Sequence, residues 1–247
     1  MGFGLRLLRL ILKMLAGLAI SVTTYRWAKP EQRRHIVRTW SRELLAILGV
    51  TVRAANFPSG AERPVTLVAN HVSWADIFAL NSERACHFIA KAELREWPLA
   101  GRLLANVGTI FINRSDRKET LRLGRVVHEL MDAGETVAVF PEGTTSIGHD
   151  VMKFHASLLE PVVAAGGEVW VVAIRYFAAG KRSDAAAYIG DMNLLQSLRA
   201  IHAASPMTVE VQFLRAIDCA NNNRRAVAAE AEALIRAAVQ SESIDIG

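Results

Sequence analysis

The amino-acid sequence predicts an α/β fold, with a mixed, largely parallel central sheet flanked by helices and an N-terminal helical hairpin ahead of it. Three observations lead there. Short apolar runs alternate with longer segments of helical period between residues 51 and 240, the pattern of repeated strand–helix units. Several runs, such as Thr66-Leu67-Val68-Ala69 and Val137-Ala138-Val139, are apolar throughout, as strands covered on both faces are. The first fifty residues carry nine Lys/Arg against two Asp/Glu, a surplus of seven, whereas the remainder carries twenty against twenty-two.

At 247 residues and 51% hydrophobic composition, the chain can bury a sizeable core as one compact domain plus an appendage. The change in charge puts the boundary at residue 50. Residues 1–50 are expected to be a membrane-associating helical segment, and residues 51–247 the α/β domain. A basic surplus confined to one end suits a phosphate-rich surface, either membrane or nucleic acid. No basic patch interleaved with aromatics and no nucleic-acid motif accompanies it. The expected partner is therefore a membrane lipid surface and not a nucleic acid. Cys86 and Cys219 form no Cys-x-x-Cys, and both read as inert thiols in a reducing compartment.

Taken in order, the first element is a helix over about Gly4–Tyr25. Arg6, Arg9 and Lys13 are spaced three and four apart and share one face. The uncharged run Met14–Tyr25 is shorter than the ~20 residues a span needs. An interfacial helix is the reading, with a single span as the alternative if Arg6 and Arg9 snorkel. A second helix starts at Pro30, which suits a first turn, with Glu31 at the positive helix end. It places Ile36, Val37, Trp40, Leu44, Ile47 and Leu48 on one face, opposite Arg34, Arg38 and Arg42. Alone it also fits an ordinary amphipathic helix packed on its own domain. Strands follow near 51–55, 65–70, 86–91, 108–113, 136–140, 168–175, 187–190 and 207–214. Helices fall near 74–82, 96–106, 117–133, 151–165, 192–203 and 222–240. Residues 56–60 read as a loop, and the alanine-rich 222–240 helix as a packing element.

The polar ends of the strands carry the chemistry. In Asn70-His71-Val72-Ser73-Trp74-Ala75-Asp76 a strand ends on a histidine with a carboxylate five residues on. A carboxylate on one imidazole nitrogen fixes the tautomer and leaves the other nitrogen free to take a proton. The same residues also fit a capped helix with His71 as an ordinary hydrogen-bonded residue. Gly108-Thr109-Ile110-Phe111-Ile112-Asn113-Arg114 and Val137-Ala138-Val139-Phe140-Pro141-Glu142-Gly143-Thr144-Thr145-Ser146 likewise run from apolar strand to polar end. In α/β sheets ligands bind at strand carboxyl ends.

Together these three segments resemble the glycerolipid (1-acylglycerol-3-phosphate) acyltransferase family, whose blocks are Asn-His-x4-Asp, Gly-x2-Phe-(Ile/Val)-x-Arg and Phe-Pro-Glu-Gly-Thr-x-Ser. A looser fourth block is similar to Val169–Tyr176, so the resemblance spans about residues 60–176. It implies transfer of a fatty acyl group from acyl-CoA or acyl carrier protein to the free hydroxyl of a lyso-lipid, 1-acylglycerol-3-phosphate giving phosphatidic acid. It implies His71 as general base and Asp76 as its orienting carboxylate. Arg114 would hold the acceptor phosphate through two donors. Glu142, Gly143 and Thr144 would bind the acceptor, with Lys91 as a possible phosphate contact. No metal and no bound cofactor are implied, because a thioester is already activated. The expected location is the cytoplasmic face of the inner membrane, peripheral, monotopic or single-pass.

Two positions depart from the family pattern. Thr145 stands where an arginine that helps hold phosphate is usual, and Val171 where a proline is usual. The first keeps lyso-ornithine lipid, or another lyso-lipid, open as the acceptor. Two other classes compete. A metal hydrolase using His71 and Asp76 would need further ligands from His87, His128, His149 or His155, none of them at a recognised ligand spacing. A non-catalytic membrane-binding protein would leave the three polar strand ends without a purpose.

Overall fold

The structure is a computed structural model that describes residues 2–56, 65–97, 100–112 and 117–241. Helices α1 (Phe3–Val22), α2 (Thr24–Trp27) and α3 (Pro30–Leu48) precede the sheet. Its strands are β1 (Val50–Ala55), β2 (Thr66–Ala69), β3 (His87–Lys91), β4 (Ile110–Ile112), β5 (Val137–Val139), β6 (Glu168–Ala178), β7 (Lys181–Arg182) and β8 (Met207–Asp218). Between them lie α4 (Asp76–Glu83), a 3-10 turn (Ala92–Glu96), α5 (Ala100–Asn106), α6 (Arg117–Asp132), α7 (Ala156–Ala165) and α8 (Leu194–Ala204), and α9 (Arg224–Gln240) follows β8.

The strand order is β1-β8-β6-β2-β5-β3-β4, with β7 appended to β6. All neighbours are parallel except β8 and β7 against β6. The expected mixed, largely parallel sheet is therefore present. Val171 and Val172 are both fully buried, yet they belong to opposite core clusters. Alternate side chains thus enter two cores, which is why the strand reads as one continuous apolar run. On one face Leu44, Leu45 and Leu48 of α3, Leu80 of α4 and Ile201 of α8 pack on Leu67, Ile174 and Val211. On the other, Val127 of α6, Leu159 of α7 and Ile235 of α9 pack on Val68, Val139 and Ala173.

Several expectations are corrected by backbone hydrogen bonding. Residues 187–190 form a loop, because Tyr188 N–H donates to Val72 O at 3.0 Å instead of to a strand neighbour. The segment 151–155 is extended, and α7 starts only at Ala156. There the Met152 and Phe154 N–H groups are taken by Glu142 and Glu232 carboxylates, each at 2.8 Å, and His155 N–H by Pro141 O. Those amides cannot also serve a helix. β6 and β8 run past their expected ends because they pair antiparallel along most of their length.

The N-terminal hairpin is present but is not a separate unit. Leu44, Leu45, Ile47 and Leu48 of α3 belong to the same core as the sheet, so packing does not break at residue 50. Several basic side chains have partners within the chain. Arg6 donates to Leu48 O at 2.9 Å and to Ser205 Oγ at 2.7 Å. Lys13 pairs with Glu43, Arg34 with Glu135 at 3.3 Å and Arg42 with Glu83 at 3.8 Å. The outer face of α1 carries Leu5, Leu8, Ile11, Leu12 and Leu15, each 46–55% exposed, together with the exposed Arg9. Among the described residues no helix is long and apolar enough to cross a membrane.

Candidate active site

β2 lies inside the sheet, flanked by β6 and β5, so the chain leaving its carboxyl end is gripped from both sides. Asn70 is fully buried and continues the ladder with its side chain. Its Nδ2 donates to Ile174 O at 2.9 Å, and its Oδ1 accepts from Ile174 N–H at 2.7 Å. His71 comes next. Its N–H donates to Glu142 Oε1 at 2.7 Å, and its carbonyl accepts from Ser146 N–H at 2.8 Å. The imidazole stacks on the Phe140 ring, with centroids 4.1 Å apart and planes 9° from parallel. Backbone and ring are thereby fixed by three separate contacts.

Asp76 opens α4 and is fully buried. Its Oδ2 accepts from His71 Nδ1 at 2.9 Å, Val72 N–H at 2.7 Å and Ser73 N–H at 2.9 Å. Tyr176 Oη donates to the other oxygen, Oδ1, at 2.6 Å. A carboxylate oxygen facing Nδ1 is an acceptor and selects the Nδ1–H tautomer, which leaves the lone pair on Nε2. The His71 side chain is 19% exposed, and Nε2 makes no hydrogen bond to any described residue. The pair has the parts of a general base: an oriented imidazole with one open nitrogen.

The loop after β5 closes around this pair. Gly143 N–H donates to Phe140 O at 3.1 Å in a tight turn where φ at Gly143 is +71°, a conformation that favours glycine. Gly148 has φ of +80°, and a Cβ there would stand 2.9 Å from the Val72 side chain. Only glycine lets the loop lie that close to the base segment. Glu142 is 2% exposed, with Oε1 on His71 N–H and Oε2 on Met152 N–H at 2.8 Å. Burial pushes its carboxyl above the ordinary value, and the two backbone bonds offset part of that rise.

The expected site residues divide accordingly. His71 and Asp76 are brought together. Glu142, expected at the acceptor, is buried, and each of its oxygens accepts a backbone N–H, so it joins the base segment to the loop. Gly143 and the exposed Thr144 lie beside it. Thr145, at the departure from the family pattern, donates its hydroxyl to Tyr188 O. Arg114 lies outside the described residues; Lys91 ends β3, but its side chain is likewise not described. Trp74 packs edge-on against Phe78 and donates to Ser197 Oγ at 3.0 Å. Asn70, Phe140 and Tyr176 all stand in the quoted blocks, yet nothing in their spacing announces what they touch. Among the described residues no three His, Cys, Asp or Glu side chains converge as metal ligands. Burial pushes the Cys86 thiol up to about 12 and the Cys219 thiol up to about 11, so both stay protonated and unreactive. A cleft of about 540 Å³ beside β4, lined by Arg95, Phe111 and Arg122 among others, lies three strands from β2 and is separate from the His71 pair.

Residues 49–176 match the family model described as Acyltransferase. The chain is 35% identical over 216 residues to a 1-acyl-sn-glycerol-3-phosphate acyltransferase of Neisseria meningitidis serogroup B, covering 87% of this chain and 84% of that protein. It is also 35% identical over 207 residues to a lyso-ornithine lipid O-acyltransferase of Pseudomonas aeruginosa, covering 84% and 79%. The crystal structure of the 1-acyl-sn-glycerophosphate acyltransferase PlsC from Thermotoga maritima shares the fold, with a TM-score of 0.65, 22% identity, and 95% and 96% of the two chains covered.

Proposed function

The chain belongs to the acyltransferase family, and from that premise we propose that it moves a fatty acyl group from acyl-CoA or acyl carrier protein to the free hydroxyl of a lyso-lipid at a membrane surface. The observation that carries the reading is the His71–Asp76 pair, with Nδ1 held and Nε2 open. A thioester donor needs no covalent enzyme intermediate. The acceptor hydroxyl gives its proton to His71 Nε2 as its oxygen attacks the thioester carbonyl. The C–S bond then breaks, and the leaving thiolate recovers a proton from the imidazolium. Asp76 holds the ring and stabilises that imidazolium. Arg114, Lys91, Gly143 and Thr144 are assigned to the acceptor on the strength of their motif positions.

The exposed leucines of α1 and the nearby Trp27, 81% exposed, supply a surface suited to peripheral docking on the cytoplasmic leaflet. The acceptor is 1-acylglycerol-3-phosphate in the first reading and lyso-ornithine lipid in the second. The second is favoured by one observation: Thr145 supplies no cation, and its hydroxyl is spent on Tyr188 O.

A panel of lyso-lipids offered with radiolabelled acyl-CoA tests both. Labelled phosphatidic acid as the main product supports the first reading, and labelled ornithine lipid the second. Thr145→Arg should move preference towards phosphate-bearing acceptors by roughly tenfold, the scale of one charge-assisted contact. Transfer to none of the panel would refute the proposal.

A further inference from the structure

We propose that Tyr176 is a positioning residue for the transfer, its phenol holding the Asp76 carboxylate so that the oxygen facing His71 stays aligned. The inference rests on the reading of His71 as the base. Tyr176 sits on β6, 2% exposed, and reaches Asp76 from 100 residues away. The two oxygens of Asp76 have separate partners. Oδ2 takes the imidazole and the two amides of its own turn. Oδ1 takes the phenol at 2.6 Å, and among the described residues no other hydrogen-bond donor to it is found. The carboxylate is thus tied on one side to the local turn and on the other to the sheet.

The chemistry of that fourth bond sets what its loss does. Burial, and then the Asp76 charge, raise the phenol well above its ordinary value, so it donates throughout the working pH range. A hydrogen bond to a carboxylate draws charge from it and limits its rotation. Without the phenol, Oδ1 is a buried oxygen that has lost its one donor among the described residues. The two turn amides still hold Oδ2, so charge concentrates there. His71 then holds its proton more tightly, and its ring is less well fixed. Among the described residues, Glu142, on the loop after β5, is also set against His71, and it stays in place in every variant below.

The experiment is the pH profile of kcat for acyl transfer by the full chain. Tyr176→Phe keeps the ring and its packing. It should lower kcat about tenfold, leave both KM values nearly unchanged, and move the acidic limb upward by about half a unit. Site-specific 3-fluorotyrosine in place of Tyr176 is a more acidic, stronger donor, and it should move the limb downward. Opposite shifts establish positioning. An unmoved limb in both proteins, even with kcat reduced, overturns it, because a purely structural role changes the amount of folded enzyme and not the profile. Should Tyr176→Phe fail to fold, the fluorotyrosine protein decides alone. His71→Ala separates the two layers of the argument. If it retains turnover, the base reading fails and this inference with it. If it is inactive while both Tyr176 proteins keep the wild-type profile, only the Tyr176 role falls.

Discussion

A carboxylate that accepts backbone N–H groups from two segments sets the distance between them. Glu142 does this for His71 and Met152, so it shapes the candidate site through the backbone. Glu142→Gln should leave one of those two buried amides opposite another donor. The expected cost is about 1–3 kcal/mol of stability, read as a lower midpoint in urea, with a several-fold drop in kcat and an unchanged acceptor KM. A rise in acceptor KM at constant kcat would return Glu142 to the substrate. The proximity of His71 and Asp76 was legible in the sequence because both residues lie in one turn; their role was read from the three motifs together, since the spacing alone also fits a capped helix. The partners of Glu142 were not legible. They are backbone amides 71 and 10 residues away, and an amide has no letter of its own. Tyr176 was hidden for a related reason: the bond to Asp76 exists only once β6 lies beside β2.

At the scale of elements, continuous apolar runs identified the buried strands well, because Val171 and Val172 each have a core to enter. The same signal failed at 187–190. Ala187 is buried there too, but beneath a loop whose polar backbone pairs with Val72 and Thr145. The face of α1 was misread in a similar way. Spacing puts Arg6 and Lys13 on one side but does not say that Leu48 O, Ser205 and Glu43 await them. The proposed docking surface is the exposed leucine face of α1, with Arg9 among the leucines. Leu8→Glu with Leu12→Glu, at positions 51% and 55% exposed, should leave thermal stability within ~0.5 kcal/mol per site. Binding to anionic vesicles in a sedimentation assay should fall at least about tenfold, because each leucine returned to water forfeits roughly 1.5–3 kcal/mol. Unchanged sedimentation would move the docking surface elsewhere. Deleting residues 1–50 is a poorer test, since it also strips Leu44, Leu45 and Leu48 from the core.

Across the whole molecule, the sheet brings the ends of β2, β5 and β6 together, and helices cover both of its faces. The His71–Asp76 pair, the Glu142 clamp and the Tyr176 phenol therefore come from three separate stretches of one sheet. Preorganisation of this kind means that the ring need not be oriented anew at each turnover. The central claim is that His71 takes the acceptor proton. Transfer of labelled acyl groups from acyl-CoA to lyso-lipid in vesicles, compared between wild type and a His71→Ala protein of matching circular dichroism and melting temperature, tests it most directly. The account predicts a loss of about 10²–10⁴-fold in kcat, with vesicle binding unchanged. Turnover near the wild-type rate in the folded variant would contradict it.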